Sequence, residues 1–183
     1  MDLWLSSHDA RVRSLRAGGK LSFSFGTSPV GDCVALMVKE HLIALRFIEN
    51  REEAIASLQA EWPTCTLHPS EEGNYLIERA FRNPESIPLM AIGTPFQLTV
   101  WEYLRQTPSA VTLTYGELAE AIGRPKAARA VGGAVGANKI AILIPCHRVV
   151  SRGKLTGYRW GIERKRTLLA WELNQRDPLK MPF

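Results

Sequence analysis

A cysteine, a histidine and an arginine are consecutive at positions 146–148, directly after Pro145 and an apolar run from Ile140 to Ile144. A thiolate is polarisable and strongly nucleophilic, so Cys146 is a candidate to displace a substituent from carbon. Positive charge on His147 and Arg148 would favour the thiolate. The pattern predicts a nucleophilic cysteine, while a buried structural cysteine and a metal ligand remain alternative interpretations.

A nucleophilic thiol needs a base and a group that orients the base. Neighbouring residues in a helix or strand do not face each other, so we expect His147 to reach Cys146 through a bridging water. The orienting carboxylate must come from elsewhere, and Glu163 and Glu172 are the candidates in the remaining chain. No second cysteine lies near Cys146 in sequence, which argues against a metal site there.

The segment before this stretch has almost no long side chains, with Gly132, Gly133 and Gly136 among alanines and valines. Each glycine in a helix costs roughly 1 kcal/mol relative to alanine, so the glycines need a reason. Close packing against another helix is one interpretation, and close approach to a DNA groove is the other. The single long side chain, Arg129, favours the second, with Lys126 and Lys139 near the two ends of the segment.

Two short helices are predicted around this segment. Thr114 and Glu117 have the spacing of a capping box, and Gly123 is a typical C-terminal glycine. A second helix is predicted from about Lys126 to Val135 after a tight turn. Two helices joined in this way are typical of a helix-turn-helix, which by itself would also fit a transcription regulator.

The first half of the chain is predicted to be an α+β domain. Alternating apolar residues from Leu21 to Phe25 indicate a strand, and two apolar β-prone runs, Cys33 to Val38 and Leu42 to Phe47, indicate a hairpin. Helical spacing predicts helices from Arg51 to Trp62 and from Tyr75 to Phe81. We expect Cys33 to be a core residue and Cys65 to lie in a polar loop.

The domains are predicted to be residues 1–88 and 93–183, with a proline-containing linker near residues 83–92. Thr94 and Pro95 then suit the start of a helix. Residues 1–92 carry 9 Lys and Arg against 12 Asp and Glu, and residues 93–183 carry 14 against 6. The net charges of −3 and +8 suggest that the second domain meets a polyanion, although chance asymmetry would look similar.

Composition excludes several classes of protein. The 45% hydrophobic content supports a packed core. The sequence contains no apolar run of about 20 residues, so it predicts no membrane span. The N-terminus lacks the pattern of a secretory signal, and three cysteines fit a reducing compartment better than a disulfide framework. The histidines and cysteines of the chain do not have the spacing of metal-ligand motifs, so we expect no metal site. We therefore expect a cytoplasmic protein, or a nuclear one in a eukaryote.

These motifs together resemble one family. Residues 93–97 with Trp101, then Tyr115, residues 124–134, Asn138 and residues 144–150 are similar to the O6-alkylguanine-DNA alkyltransferases, and the resemblance continues to about Glu172. It implies a ribonuclease-H-like α+β N-terminal domain and a mainly helical, winged-helix-like C-terminal domain. Residues 157–161, Gly-Tyr-Arg-Trp-Gly, look bacterial, similar to the C-terminal domain of the adaptive-response protein.

The resemblance implies a single-turnover methyltransferase that flips O6-alkylguanine, or O4-alkylthymine, out of duplex DNA. The alkyl group would pass irreversibly to Cys146, with His147 acting through a water as the base and Glu172 orienting His147. Asn138 would hold the turn between the recognition helix and the acceptor segment, and Lys165 would brace the active-site loop.

The resemblance also assigns the contacts to DNA. Tyr115 would press on the target phosphate and donate a hydrogen bond to the departing guanine, Arg129 would fill the vacated stack, and Tyr158 would line the base pocket. The recognition helix would lie in the minor groove of double-stranded DNA, with the protein a monomer and no cofactor. Some members of the family bind zinc in the N-terminal domain, but this sequence does not reproduce those cysteines, so we expect no metal. The sequence also shows no counterpart of the cysteine-rich regulatory domain of the adaptive-response protein, so we expect no regulator activity.

A non-catalytic lesion-binding protein, of the alkyltransferase-like kind, is the alternative function. Those proteins have tryptophan at the position of Cys146, so the sequence argues against this alternative.

Overall fold

The computed structural model describes residues 1–155 and 157–175, which fold into two compact units. Unit 1 comprises Met1–Leu98 and Lys139–Leu143, and unit 2 comprises Thr99–Asn138 with the chain from Ile144 onward. Five residues of unit 1 therefore immediately precede the stretch that contains Cys146. The mixed α and β content expected from the sequence is confirmed, and no described helix is long and apolar enough to cross a membrane.

Unit 1 contains most of the strands. Its elements are β1 (Leu3–Ser6), α1 (Ala10–Arg16), β2 (Lys20–Ser28), β3 (Gly31–Val38), β4 (His41–Phe47), α2 (Arg51–Glu61), β5 (Thr66–Pro69), α3 (Gly73–Arg82) and β6 (Met90–Gly93), with a 3-10 turn at Pro84–Ser86. The main sheet has the order β4-β3-β2-β5, and β1 pairs in parallel with β6. The predicted hairpin is β3–β4, whose turn places Lys39 at a φ of 52°.

The core of unit 1 lies between the sheet and α2. Alternate residues of β2 and β3, including Leu21, Phe23 and Leu36, pack with Leu58 and Trp62. Asn50 caps α2 by accepting a hydrogen bond from the Glu53 amide at 2.9 Å, which fixes the start of the helix. These contacts place Glu61, the last residue of α2, beside β4.

Two features of unit 1 go beyond the expectations from the sequence. The predicted linker near residues 83–92 ends in a strand, since Met90–Gly93 pairs with Leu3–Ser6. Cys65 lies in the loop between α2 and β5, as expected, but its side chain is buried and its thiol donates to the Leu15 carbonyl at 3.2 Å. Cys33 is buried in the core as expected. The position of the domain boundary itself stays a prediction.

Unit 2 is mostly helical. The chain enters it through α4 (Pro95–Gln106), and the further elements are β7 (Leu113–Thr114), α5 (Tyr115–Ala121), α6 (Ala128–Gly136), a 3-10 turn at Cys146–Arg148, β8 (Val149–Val150) and α7 (Ile162–Gln175). The predicted capping box at Thr114 and Glu117 is formed, and Gly123 ends α5 with a φ of 70°. Helix α6 begins two residues later than predicted.

The segment before Cys146 has an unusual backbone. Ile142 has a φ of 68°, and the Leu143 amide donates to the Ala141 carbonyl at 2.7 Å across it, which makes a γ-turn of the rare positive-φ kind. A β-branched residue in this region costs of order 1–3 kcal/mol and persists only where neighbouring structure holds it. All residues from 140 to 147 are buried, so the surroundings of this turn are fixed by packing.

Candidate active site

The Cys146 thiol lies at the wall of a small pocket in unit 2. The pocket has a volume of about 140 Å³ and is lined by Tyr115, Gly132, Val135, Gly136, Cys146, Gly157, Tyr158 and Arg159. Helix α6 thus forms one wall, and the loop before α7 forms another. Only 2% of Cys146 is exposed, so a substituent can reach the sulfur only from within the pocket.

Asn138 holds the sulfur and the turn before it. Its side-chain amide donates to the Cys146 Sγ at 3.2 Å and to the Ile144 carbonyl at 2.8 Å. Asn138 lies two residues after the end of α6 and is itself buried. One side chain therefore connects the end of α6 to both the backbone and the thiol of the segment that contains Cys146.

The thiol is neutral in the free protein. Burial raises the pKa of Cys146 to about 11, although the Asn138 hydrogen bond and the charge of Lys165 act in the opposite direction. The expectation that His147 and Arg148 would favour a thiolate by their charge is wrong. Burial lowers the pKa of His147, so its ring is uncharged, and the Arg148 charge is paired with Glu172.

His147 and Glu172 form a buried pair. The His147 Nε2 lies 2.8 Å from a carboxylate oxygen of Glu172, and 2–3% of each side chain is exposed. The carboxylate can only accept, so Nε2 carries the proton and Nδ1 carries the lone pair. Nδ1 is buried and has no hydrogen-bond partner among the residues that the structure describes. This nitrogen is available as a base.

Arg148 holds the same carboxylate, a contact that the sequence did not predict. Its guanidinium donates to both oxygens of Glu172 at 2.6–3.1 Å and also to the Thr107 carbonyl. The Ala110 amide donates to Glu172 at 2.9 Å from a backbone with a φ of 55°. Burial alone would raise the pKa of Glu172, but the bonds from His147 and Arg148 lower it to about 2.

Glu163, the other carboxylate considered from the sequence, does not reach this site. It is 76% exposed and pairs with Arg166 on the surface of α7. Glu172 lies on the buried face of the same helix with Lys165 and Leu168. Of the two candidates, the structure brings only Glu172 to His147.

The two tyrosines line the pocket, and Lys165 supports the loop that forms one of its walls. The Lys165 ammonium donates to the Val149 carbonyl at 2.5 Å and to the Gly157 carbonyl at 3.0 Å, which ties β8 to the pocket loop. Burial lowers the pKa of Lys165 to about 8. The Tyr158 ring packs edge-on against His147, with centroids 6.4 Å apart, and against Trp160. Burial raises the pKa of Tyr115, so its hydroxyl is protonated.

Within residues 1–155 and 157–175, no side chain or backbone packs closely against Gly133 or Gly136 of α6. A Cβ added at Gly133 or Gly136 would meet no atom within 4 Å among the described residues, and one at Gly132 would only touch the Tyr115 ring at 3.8 Å. Gly133 and Gly136 are exposed, and so is Arg129 on the same helix. The alternative that a second helix packs on Gly133 and Gly136 therefore has no support within the described part of the chain.

Arg129 does not line the pocket. Lys139 was expected, with Lys126, to be a cation near an end of the recognition helix. In the structure its ammonium forms an ion pair with Glu61.

The described residues contain no cluster of three potential metal ligands. The arrangement thus offers a neutral thiol and a protonated phenol at one pocket, with the neutral His147 imidazole packed behind the pocket residue Tyr158, which suits transfer of a small group to sulfur.

Comparison with known proteins agrees with this chemistry. Residues 95–174 match the model of the 6-O-methylguanine DNA methyltransferase, DNA binding domain. The bifunctional transcriptional activator/DNA repair enzyme Ada of Escherichia coli is 35% identical over 91% of this chain, which spans only 50% of that protein. The methylated-DNA–protein-cysteine methyltransferase of Shigella flexneri is 52% identical over 73% of this chain and 77% of its own.

A solved structure is similar across both units. The crystal structure of Mycobacterium tuberculosis OGT in complex with DNA has a TM-score of 0.69 and 35% sequence identity. The similarity covers 82% of this chain and 92% of that one. The match therefore extends well beyond the segment that the family model covers.

Proposed function

Since this chain belongs to the methylated-DNA–protein-cysteine methyltransferase family, we propose that it repairs DNA by moving an alkyl group from O6-alkylguanine to Cys146. One observation carries the proposal: the Cys146 thiol opens into a pocket whose other wall is the glycine-bearing side of α6. A base flipped out of a duplex held on α6 would enter this pocket. O4-alkylthymine is a second substrate of the same kind.

The reaction follows from the neutral resting state of the site. The thiol proton passes through a bridging water to Nδ1 of His147, while Glu172 keeps Nε2 protonated. The sulfur attacks the alkyl carbon, an S–C bond forms, and the C–O6 bond breaks with its electron pair left on the guanine. The guanine gains one proton, so the net change exchanges the alkyl group for the thiol proton.

The departing guanine needs help because its anion is a poor leaving group. The Tyr115 hydroxyl lies at the pocket and stays protonated, so it can donate a hydrogen bond to the guanine. The thioether formed on Cys146 has no hydrolytic route back to the thiol. Each molecule would therefore act once.

We propose that α5 and α6 act as a helix-turn-helix with α6 in the minor groove. The exposed Gly133 and Gly136 allow the helix backbone to approach the groove closely, and Arg129 would fill the gap that the flipped base leaves. Exposed cations elsewhere on unit 2 would contact phosphates, namely Arg124, Lys126, Arg152 and Lys154. Tyr115 would press on the phosphate of the flipped nucleotide.

The finer features of the fold belong to the same proposal. A ribonuclease-H-like arrangement of unit 1 agrees with the strand order β4-β3-β2-β5. A winged-helix arrangement of unit 2 agrees with the short pair of β7, which precedes α5, and β8, which follows α6. The protein would act as a monomer, because one unit 2 holds all the groups proposed for the reaction, and in the cytoplasm of a bacterium.

A duplex with a labelled methyl group on O6 of one guanine tests the function. The label should move to the protein, and peptide mapping should find it on Cys146, with a mass increase of one methyl group. The Cys146→Ala variant should accept none, and Cys65→Ala, which removes another buried thiol, should accept as much as the wild type. Binding of the lesion without transfer would instead support a lesion-binding protein and overturn the proposal.

A further inference from the structure

The residues that immediately precede the acceptor cysteine are held by the sheet of unit 1. The Leu45 amide of β4 donates to the Lys139 carbonyl at 3.0 Å, and the Ala141 amide donates to the Leu45 carbonyl at 2.8 Å. Leu45 and Ile140 form a parallel bridge. Residues 139–141 thus extend the edge of β4, and their register on that edge is fixed by two hydrogen bonds.

An ion pair fixes the start of the same segment. The Lys139 ammonium and the Arg46 guanidinium both bind the carboxylate of Glu61, at the C-terminal end of α2. Only 19% of the Glu61 side chain and 12% of the Arg46 side chain are exposed, against 40% for Lys139. Burial alone would raise the pKa of Glu61, but the bonds from Lys139 and Arg46 lower it, so the carboxylate stays charged.

The chain has little freedom between this anchor and the thiol. The γ-turn at Ile142 follows Ala141 at once, and the Cys146 amide donates to the Ile144 carbonyl at 2.8 Å. Every residue from Ile140 to Cys146 is buried. The anchored residues therefore lead to Cys146 through a short run of buried residues that contains no exposed loop.

We infer that Glu61 and Lys139 are positioning residues for alkyl transfer: their pair holds Lys139 at the start of the segment that two backbone hydrogen bonds align on β4, and so helps to set the place of the Cys146 sulfur. The inference rests on the proposed function, and it gives unit 1 a part in the reaction. Asn138 restrains the thiol directly, and the pair restrains the chain that precedes it.

The physical reason is the sensitivity of group transfer to distance. Displacement at carbon needs the sulfur in line with the breaking bond, and a misplacement of about 1 Å can cost on the order of a hundredfold in rate. Lys139 is 40% exposed, and Glu61 keeps Arg46 as a partner when Lys139 is replaced, so losing the Lys139 charge should cost little stability. Loss of this pair should thus appear in the transfer step more than in the free energy of unfolding.

The test uses Lys139→Met in the full chain, since Glu61 then keeps Arg46 and the core is left intact. Single-turnover transfer from an O6-methylguanine duplex is measured against duplex concentration. We expect the limiting rate constant to fall about tenfold, with the half-saturating duplex concentration unchanged. Lys139→Arg keeps the pair and should stay within about twofold of the wild type. Lys20→Met, on an exposed lysine of β2, is the matched control.

Other outcomes separate the possible roles. If Lys139→Met raised the half-saturating concentration and left the limiting rate unchanged, Lys139 would be a phosphate contact and the inference would be wrong. Equal rates for the wild type and Lys139→Met would also overturn it, and so would failure of Lys139→Arg to restore the rate. Glu61→Gln should slow transfer as Lys139→Met does, and the double variant should be no slower than either. If the wild type itself transferred no methyl group, the proposed function would have failed instead.

Discussion

His147 and Glu172 meet through one hydrogen bond of 2.8 Å, and this bond determines which ring nitrogen can act as a base. The carboxylate accepts from Nε2, so the free lone pair is on Nδ1. Because the pKa of Cys146 is about 11 and the imidazole is neutral, the site holds its proton on sulfur before a substrate arrives. The nucleophile is therefore produced within the reaction rather than stored as a thiolate.

The first prediction concerns the carboxylate. Glu172→Gln should slow alkyl transfer about a hundredfold, since the amide cannot stabilise the imidazolium that forms when Nδ1 takes the thiol proton. It should also lower the free energy of unfolding by about 3 kcal/mol, because Arg148 keeps a largely buried charge without its partner. Single-turnover transfer and denaturant unfolding measure the two effects. Glu163→Gln, on the exposed face of α7, is the control and should change neither.

Acid should weaken the fold through the same pair. The pKa of Glu172 is depressed to about 2 from 4.5, so its contribution to stability is present above pH 4.5 and is lost as the pH falls toward 2. The pKa of His147 is also lowered. The stability that its buried neutral ring contributes is therefore present above pH 6.5 and declines below it. Unfolding free energies measured from pH 7 to pH 3 should fall, and the decline below pH 4.5 should be shallower in Glu172→Gln. Equal slopes in the two proteins would contradict this assignment.

The resting thiol should react slowly with a small alkylating reagent. With a pKa of about 11, roughly one Cys146 in a thousand is a thiolate at pH 8, against about one in ten for a thiol with a pKa of 9. Labelling with iodoacetamide should therefore keep rising up to about pH 11. The raised pKa also means that stability falls as the pH increases from 9 through 11. Peptide mapping of Cys146 gives the profile, with unfolded protein as the reference, and a midpoint near pH 7 would be incompatible with a neutral resting thiol.

A candidate nucleophile could be proposed from the sequence because its signal is local. Cys146 and His147 are adjacent, and the glycines of α6 stand out by their helical cost. The capping box and the hairpin β3–β4 could be predicted because their determinants are local. The strands β1 and β6 could not be predicted from local sequence, because each is short and pairs with a strand that is distant along the chain.

Residue type alone does not decide whether Glu163 or Glu172 orients His147. The two are nine residues apart, which places them on opposite faces of a helix. A prediction of α7 would have separated them, since Lys165, Leu168 and Glu172 have the spacing of one buried face. The Arg148 contacts and the turn at Ile142 could not be predicted, because both depend on residues brought together by the fold.

The glycines of α6 give a prediction that separates folding from DNA binding. Gly133→Ala should stabilise the protein by up to about 1 kcal/mol, since the added Cβ meets open space and alanine favours the helix. Gly133→Leu should fold equally well but bind duplex DNA at least tenfold more weakly, because its side chain keeps the helix from the groove. Thermal unfolding and fluorescence anisotropy measure the two properties. Ala56→Leu on the exposed side of α2 is the control, and unchanged DNA affinity in Gly133→Leu would argue against α6 as the DNA-facing helix.

Arg129 should matter only when a base has to leave a stack. Arg129→Ala removes the side chain proposed to fill the gap, so transfer from a duplex should slow about a hundredfold, the equivalent of a few kcal/mol of lost stacking. Transfer from free O6-benzylguanine should change by less than about threefold, since that substrate has no stack to fill. The ratio of the two rate constants is the measurement, with Arg82→Ala on the exposed surface of α3 as the control. An equal loss on both substrates would mean that Arg129 supports the pocket or the fold rather than the flipped state of the DNA.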